Sequence, residues 1–315
     1  MHALYLGIDI GGTKMAVGLA TPTGELVAEG RVPTPVHDPE RAVSDLVELC
    51  TNVIRGRRVT AVGVGCAGPL DPARGIIQSP PNLPGWVDTP LVARLTQALK
   101  VPVYLDNDAN AAALGEHRFG AGRGAANMVY ITISTGIGSG IIFNGRLCSG
   151  ENSNAGEIGH ASVAYDGIPC KCGSRGCLEA YASGTAITAA ARAAVMESGG
   201  SSALLDLAGS VDRITGETVV TAVRQGDPLA VRIWAERMTI LGVGIANVIN
   251  SFNPERIVLG GGLTNAGDLL FNPVRRVALT RALPPLAQVV EIVPGQLGGR
   301  VGVLGAVAVA LERIG

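Results

Sequence analysis

The chain has 315 residues, 47% of them hydrophobic and 16% charged, with a formal net charge of −1. That balance excludes a disordered polymer and leaves no basic excess for nucleic acid or an anionic membrane surface, while the length allows two domains. The apolar runs are too short to cross a bilayer, and the opening MHALYLGIDIGG has neither the charged region nor the cleavage site of a secretion signal. The expected setting is therefore cytoplasmic, with the six cysteines reduced or metal-bound.

Residues 3–10 (ALYLGIDI) predict a buried strand, GGTK a turn, MAVGLA a second strand, TPTGE another turn and LVAEGRV a third strand. A helix follows over 39–54, a strand over 59–65, a helix around 89–100, and a strand over 101–106 that leads into an Ala-rich helix. The opening module then returns as the strand NMVYITI, the turn STGIGSG, the strand IIF, an Asn144-Gly145 hairpin turn and RLCSG. Two such meanders, each with a glycine-rich first turn, mark an internal duplication at domain scale. Later, Met238, Leu241, Ile245, Val248, Ile249 and Phe252 fall at helical spacing, Asn253-Pro254 ends that helix, and RIVLGGG reads as a strand with a glycine turn. The pattern predicts an α/β protein with mixed sheets covered by helices, in two domains with a cleft between them.

The glycine-rich turns carry the first chemistry. Asp9 ends the first strand, and Gly11, Gly12, Thr13 and Lys14 follow. Glycine lets backbone N–H groups approach an anion, a carboxylate there can hold Mg²⁺, and the Thr13 hydroxyl can bind phosphate oxygens. The plain alternative is a hairpin turn, in which Gly-Gly is common. Two turns in equivalent positions, with Thr135, Gly136 and Gly138 in the second, favour phosphate binding, as does the LGGG that contains Gly261 and Gly262. GVGCAG fits a dinucleotide fingerprint, but Pro69 and LDPARG follow, which leaves no helix N-terminus for a pyrophosphate. The chain also has no Walker-type GxxxxGK[ST] loop.

In LDNDANAAALGEH, Asp106, Asn107 and Asp108 stand where a strand gives way to a helix. Capping explains one of them. A further carboxylate, kept ionised by the helix amides, can take a proton from a substrate hydroxyl, and a carboxamide beside it suits vicinal hydroxyls. In EIGHASVAYDGIPCKCGSRGCLEAYASG, Cys170, Cys172 and Cys177 lie close together, and His160 can complete a Cys₃His tetrahedron, which selects a structural zinc. The alternative is three small buried residues. Glu157 and Glu179 bracket these ligands and read as sugar-facing carboxylates, with surface ion pairing the other option. Cys50, Cys66 and Cys148 are isolated and read as core thiols.

Together DIGGTK, DNDANAAALGE, STGIGSG, AGEIGH with CKCGSRGCLE, and LGGG resemble the ROK family of repressors, open reading frames and sugar kinases, from about residue 4 to the C-terminal helix. Among its members the motifs look most like those of bacterial ATP-dependent glucokinases. The resemblance implies a two-domain, actin-like, hexokinase-type ATPase fold of duplicated ribonuclease-H-like domains. These would be a smaller domain over 1–118 and a larger one over 119–301, with a helix at about 302–315 packing back on the first. It implies Asp108 as catalytic base, hexose contacts from Asn82, Asn107, Asp108, Glu157, His160 and Glu179, and a structural zinc on His160, Cys170, Cys172 and Cys177. Ser134 departs from the glycine usual there.

The expected reaction is phosphoryl transfer from MgATP to the 6-hydroxyl of a hexose, glucose first, as at the entry to glycolysis. An amino-sugar or N-acylhexosamine kinase, acting on glucosamine, kanosamine or N-acetylmannosamine, is the alternative. A sugar-responsive regulator would carry a DNA-binding domain ahead of the first strand, and none is expected here. The expected partners are hexose and ATP, with no nucleic acid and no membrane, and the expected assembly is a homodimer or homotetramer.

Overall fold

A computed structural model describes residues 3–198 and 202–314. The chain divides into two compact units. The first runs through Tyr130 and takes up Gly140–Gly156 and the stretch from Gly295, and the second holds Ile131–Ser139 and Glu157–Pro294.

The opening meander forms as β1 (Leu4–Ile10), β2 (Lys14–Ala20) and β3 (Leu26–Pro33). It is followed by α1 (Pro39–Ile54), β4 (Val59–Cys66), a small hairpin of β5 (Leu70–Asp71) and β6 (Ile76–Ile77), α2 (Leu91–Leu99), β7 (Val103–Asn107) and α3 (Asp108–Phe119). The sheet order is β3-β2-β1-β4-β7, with the meander antiparallel and β4 parallel to β1 and β7. Alternation sends Leu6, Ile8 and Ile10 into one core with Leu46, Leu95 and the fully buried Trp86. Tyr5 and Ala61 face the other way, against Leu304, Val307 and Leu311 of α11 (Val301–Ile314). This C-terminal helix lies on β1 and β4 because Gly7 and Gly63 carry no side chain: a Cβ at either would run into the carbonyls of Val303 and Ala306. The start of α1 is set by Asp38, whose side chain accepts from the Arg41 amide at 3.0 Å, with Pro39 in the first turn.

The second meander is β8 (Met128–Ile133), β9 (Ile137–Phe143) and β10 (Arg146–Leu147). Then come α4 (Leu178–Ala182), α5 (Gly184–Glu197), α6 (Ala203–Ala208), α7 (Gly216–Arg224), α8 (Pro228–Phe252), β11 (Arg256–Gly260), α9 (Asp268–Arg281), α10 (Pro284–Ala287) and β12 (Glu291–Pro294). Their sheet has the order β10-β9-β8-β11-β12. Helix α8 buries Met238, Leu241, Ile245, Val248 and Ile249 and ends at Asn253 in the left-handed conformation (φ 45°). Its Trp234 indole donates to the Leu269 carbonyl at 2.8 Å.

Three sequence expectations change. Strand β9 begins at Ile137, so most of the expected turn STGIGSG is strand. Phe252, at the end of α8, is exposed, as is Cys148, which lies just past β10 and is not a core thiol; Cys50 and Cys66 are buried. As Pro69 led one to expect, the chain enters the β5–β6 hairpin after GVGCAG and no helix opens there.

Candidate active site

In the first unit, β1 delivers Asp9 opposite Ala16 of β2 and Gly65 of β4. The Gly11 amide donates to the Lys14 carbonyl at 3.0 Å, and the Thr34 hydroxyl donates to the Gly11 carbonyl at 2.6 Å, which fixes the turn. Gly12 abuts the Asn82 backbone so closely that a Cβ would crowd its carbonyl. Thr13, Lys14 and Asn82 are exposed. Gly302, at the start of α11, lies directly against the Asp9 carboxylate, where any side chain would collide with it.

At the head of α3 the residues divide the work. Asn107 is the cap, its Oδ1 accepting from the amides of Ala109 (2.8 Å) and Asn110 (3.3 Å). Asp108 Oδ1 also accepts from the Ala109 amide at 2.8 Å, yet Asp108 is exposed. Behind them the buried Asp106 accepts from the Asn107 amide (2.8 Å) and Asn110 Nδ2 (3.0 Å) and pairs with Arg313 at 3.6 Å. Loss of hydration raises the pKa of Asp108, outweighing the amides of Ala109 and of Asp108 itself, which pull it down. The helix amides thus win less than the sequence alone suggests, while the water that still reaches Asp108 screens the rise. Asp9 is pushed up to about 6, first by burial and second by the charge of Asp108, against the opposing pull of Lys14. Asp9 and Asp108 therefore sense one another, as paired site carboxylates do.

In the second unit a short 3-10 turn, Ile158–His160, carries His160, while Cys177 leads into α4. The Cys170 amide donates to the Ser174 carbonyl (2.8 Å) and the Gly173 amide to the Cys170 carbonyl (3.1 Å), a tight turn that folds Cys170 and Cys172 together. Gly173 (φ 91°) and Gly176 (φ 75°) make it possible, and Gly176 is also packed onto the Ala164 carbonyl. The ligand atoms of His160, Cys170, Cys172 and Cys177 all lie within 4.8 Å of one another. Cys170 Sγ is 3.7 Å from His160 Nδ1, and Cys172 Sγ is 3.7 Å from Cys177 Sγ. A tetrahedron with metal–sulfur bonds of about 2.3 Å separates its sulfurs by about 3.8 Å, so the donor set fits such an ion.

Glu157 is exposed, and its carbonyl accepts from the His160 amide at 3.0 Å. Glu179, half-buried on α4, accepts through Oε2 from the Ile137 amide at 2.9 Å. The turn before Ile137 is held by α5: the Gly184 amide donates to the Ser134 carbonyl (2.8 Å) and the Thr185 hydroxyl to the Thr135 carbonyl (2.7 Å). Gly261 (φ 86°) packs on the Ile133 backbone, and Gly262 opens the next turn. Thr135, Gly184 and Gly262 also line a cavity of about 1000 Å³ within this unit, walled further by Arg192, Thr215 and Asn265.

The predicted site residues thus fall into two groups. Asp9, Gly11, Gly12, Thr13, Lys14, Asn82, Asn107 and Asp108 belong to the first unit, and Thr135, Gly136, Gly138, Glu157, His160, Cys170, Cys172, Cys177, Glu179, Gly261 and Gly262 to the second. Sequence reasoning missed Arg192, whose guanidinium donates to the carbonyls of Asp212 (2.6 Å) and Ile214 (2.8 Å) and so shapes the cavity wall. Its one signal is a lone cation on the Ala-rich α5. The Asp106–Arg313 pair left none, because its partners are some two hundred residues apart.

Residues 5–313 match the ROK family. The chain belongs to it. A glucokinase of Thermotoga maritima is 37% identical over 311 residues, covering 98% of each chain. The ROK family glucokinase of Streptomyces griseus, solved in complex with glucose and AMPPNP, is 38% identical and superposes with a TM-score of 0.83 over 99% of this chain and 100% of that one. The two-domain sugar kinase fold of these ROK proteins is the fold of this chain. A xylose repressor of Caldicellulosiruptor bescii is more distant at 29% identity, and the match covers 98% of this chain and 78% of the repressor.

Proposed function

We propose that this chain is an ATP-dependent hexokinase that phosphorylates the 6-hydroxyl of glucose. One observation carries the reading: a chain like glucokinases from end to end holds a solvent-reached carboxylate, Asp108, at the head of α3, electrostatically linked to Asp9 and its glycine turn. Asp108 accepts the proton of the sugar's primary hydroxyl as that oxygen attacks the γ-phosphorus, and the Asp108 side chain needs no partner beyond the Ala109 amide to stay available. Asn107 spends its carbonyl oxygen on the cap and keeps its NH₂ for a sugar hydroxyl. Asp9 faces the magnesium that arrives with ATP, and the turn at Gly11–Thr13 offers amides to phosphate oxygens. The protein's task is alignment and charge stabilisation.

From the second unit come the hexose-facing Glu157, His160 and Glu179, the phosphate-side Thr135, Gly136 and Gly138, and the cavity flanked by Gly261 and Gly262 for the nucleoside. The Ile137 amide is already taken by Glu179, so it is not among the phosphate ligands. We read the Cys₃His cluster as a structural zinc site, since its four donors leave no open position; zinc there would hold His160 and the α4 entry in place. Self-association as a homodimer or homotetramer is part of this reading, as is a cytoplasmic setting, which rests on the short apolar runs and the signal-free opening of the sequence; among the described residues, no helix is long and apolar enough to cross a membrane.

The test is kcat/KM with ATP for glucose, mannose, glucosamine, N-acetylglucosamine and N-acetylmannosamine, read by coupled ADP release. Glucose is expected to lead. If any other sugar exceeds it tenfold, about 1.4 kcal/mol in transition-state binding, the glucose assignment falls. If none is phosphorylated, the kinase reading falls with it.

A further inference from the structure

Nine residues of the second unit, 177–185, carry contacts of three kinds. Cys177 belongs to the Cys₃His cluster, Glu179 bonds the Ile137 amide, and Gly184 and Thr185 clamp the carbonyls of Ser134 and Thr135. Glu179 and the glycine turn are also matched in shape. A Cβ placed on Gly136 would collide with the Glu179 carboxylate, so Gly136 is glycine for the sake of a side chain 43 positions away as well as for any ligand. One oxygen, Oε2, is spent on the Ile137 amide, while Oε1 accepts no hydrogen bond among the described residues.

We propose that Glu179 is a positioning residue that couples hexose binding to the shape of the phosphate-holding turn at 134–137. This rests on the reading of Glu179 as a hexose-facing carboxylate. A hexose hydroxyl donating to Oε1 fixes the side chain. The fixed side chain holds Oε2 on the Ile137 amide, and the turn it anchors is then ordered before nucleotide arrives. Two ligands that share the cost of ordering one segment bind with positive cooperativity, and linkage requires the effect to be equal in both directions. The α5 clamps hold the carbonyl side of the turn and Glu179 the amide side, so Glu179 is the arm of the clamp that a sugar can reach.

Calorimetric titration of the full chain tests this with glucose and with AMPPNP plus magnesium, each alone and with the other saturating. In the wild type, glucose is expected to tighten AMPPNP at least about fivefold. Gly136→Ala lies on the phosphate side, yet it should weaken glucose about tenfold in the absence of nucleotide, because the methyl displaces Glu179. Glu179→Asp keeps the charge but shortens the arm, and should abolish the coupling. Glu179→Gln keeps the reach and should retain coupling even as glucose weakens, an order that general destabilisation of α4 would not produce. Wild-type binding of both ligands without coupling overturns the proposal, as does glucose affinity within twofold of wild type in a folded Gly136→Ala. Should Gly136→Ala not fold, coupling retained in Glu179→Asp overturns it. A wild type that binds no glucose removes the kinase reading as well, which separates the two failures.

Discussion

Asp9→Asn is expected to make the ligand-free protein more stable at neutral pH while destroying its activity. The Asp9 carboxyl has its pKa pushed from 3.8 to about 6, mainly by burial and next by the charge of Asp108. A carboxyl whose pKa is higher in the folded state holds its proton longer there than in the unfolded chain. Between about pH 4 and pH 6 the native state therefore carries the extra proton, stability falls as pH rises through that window, and the loss is complete above about pH 7. Two pH units correspond to about 3 kcal/mol. Asparagine carries no charge and escapes this cost, so the variant should gain up to about 3 kcal/mol over the wild type at pH 8 and nothing at pH 4. Urea unfolding of both proteins at pH 4, 5, 6, 7 and 8, in buffer without added magnesium or chelator, reads the difference. A stability difference that stays flat across that range would refute the argument. Asp108→Asn supplies the internal control: removing the second cause should move the Asp9 window to lower pH.

For the chemistry itself, Asp108→Asn is expected to lower kcat roughly 10²–10⁴-fold with hexose affinity reduced far less, measured by steady-state kinetics beside direct sugar binding; near-normal turnover would remove Asp108 from the mechanism. Elemental analysis should find about one zinc per chain, and Cys172→Ser should lose it and weaken glucose more than ATP, because His160 and the lead into α4 sit on that frame. Active protein free of zinc would contradict this. Arg192→Ala should raise KM for ATP about tenfold with KM for glucose unchanged, since Ile214, whose carbonyl it holds, lines the large cavity.

Most of the first unit was legible because its signals are local. The 39–54 helix is bounded by Asp38-Pro39 at one end and a left-handed Arg55 followed by Gly56 at the other, and both ends fall where the sequence puts them. The start of β9 was not legible. Gly138, Ser139 and Gly140 have the composition of a loop, but Gly140 is bare because α3 presses against it at Ala113 and Asn110, so a tertiary contact makes strand out of loop-like residues. The gathering of His160, Cys170, Cys172 and Cys177 could be read because they lie within eighteen residues and their chemistry is distinctive. The bond from Glu179 to the Ile137 amide could not, since it joins a side chain to a backbone group, and every residue has a backbone amide. Asn107 shows the limit in another way: capping and substrate binding both predict that residue, and the structure makes the cap with its Oδ1, which by itself does not decide between the two.

The chain has two tryptophans, Trp86 and Trp234, and each unit buries one of them. Trp86 lies wholly inside the first unit's core, and Trp234 sits on α8 with its indole bonded to the Leu269 carbonyl. The protein thus comes with one intrinsic fluorophore per unit. Replacing either with phenylalanine leaves a single emitter, and its shift to longer wavelength during denaturation reports the opening of its own unit alone. Whether the two halves melt together or in sequence can then be read from two optical traces, with no dye attached to any of the cysteines.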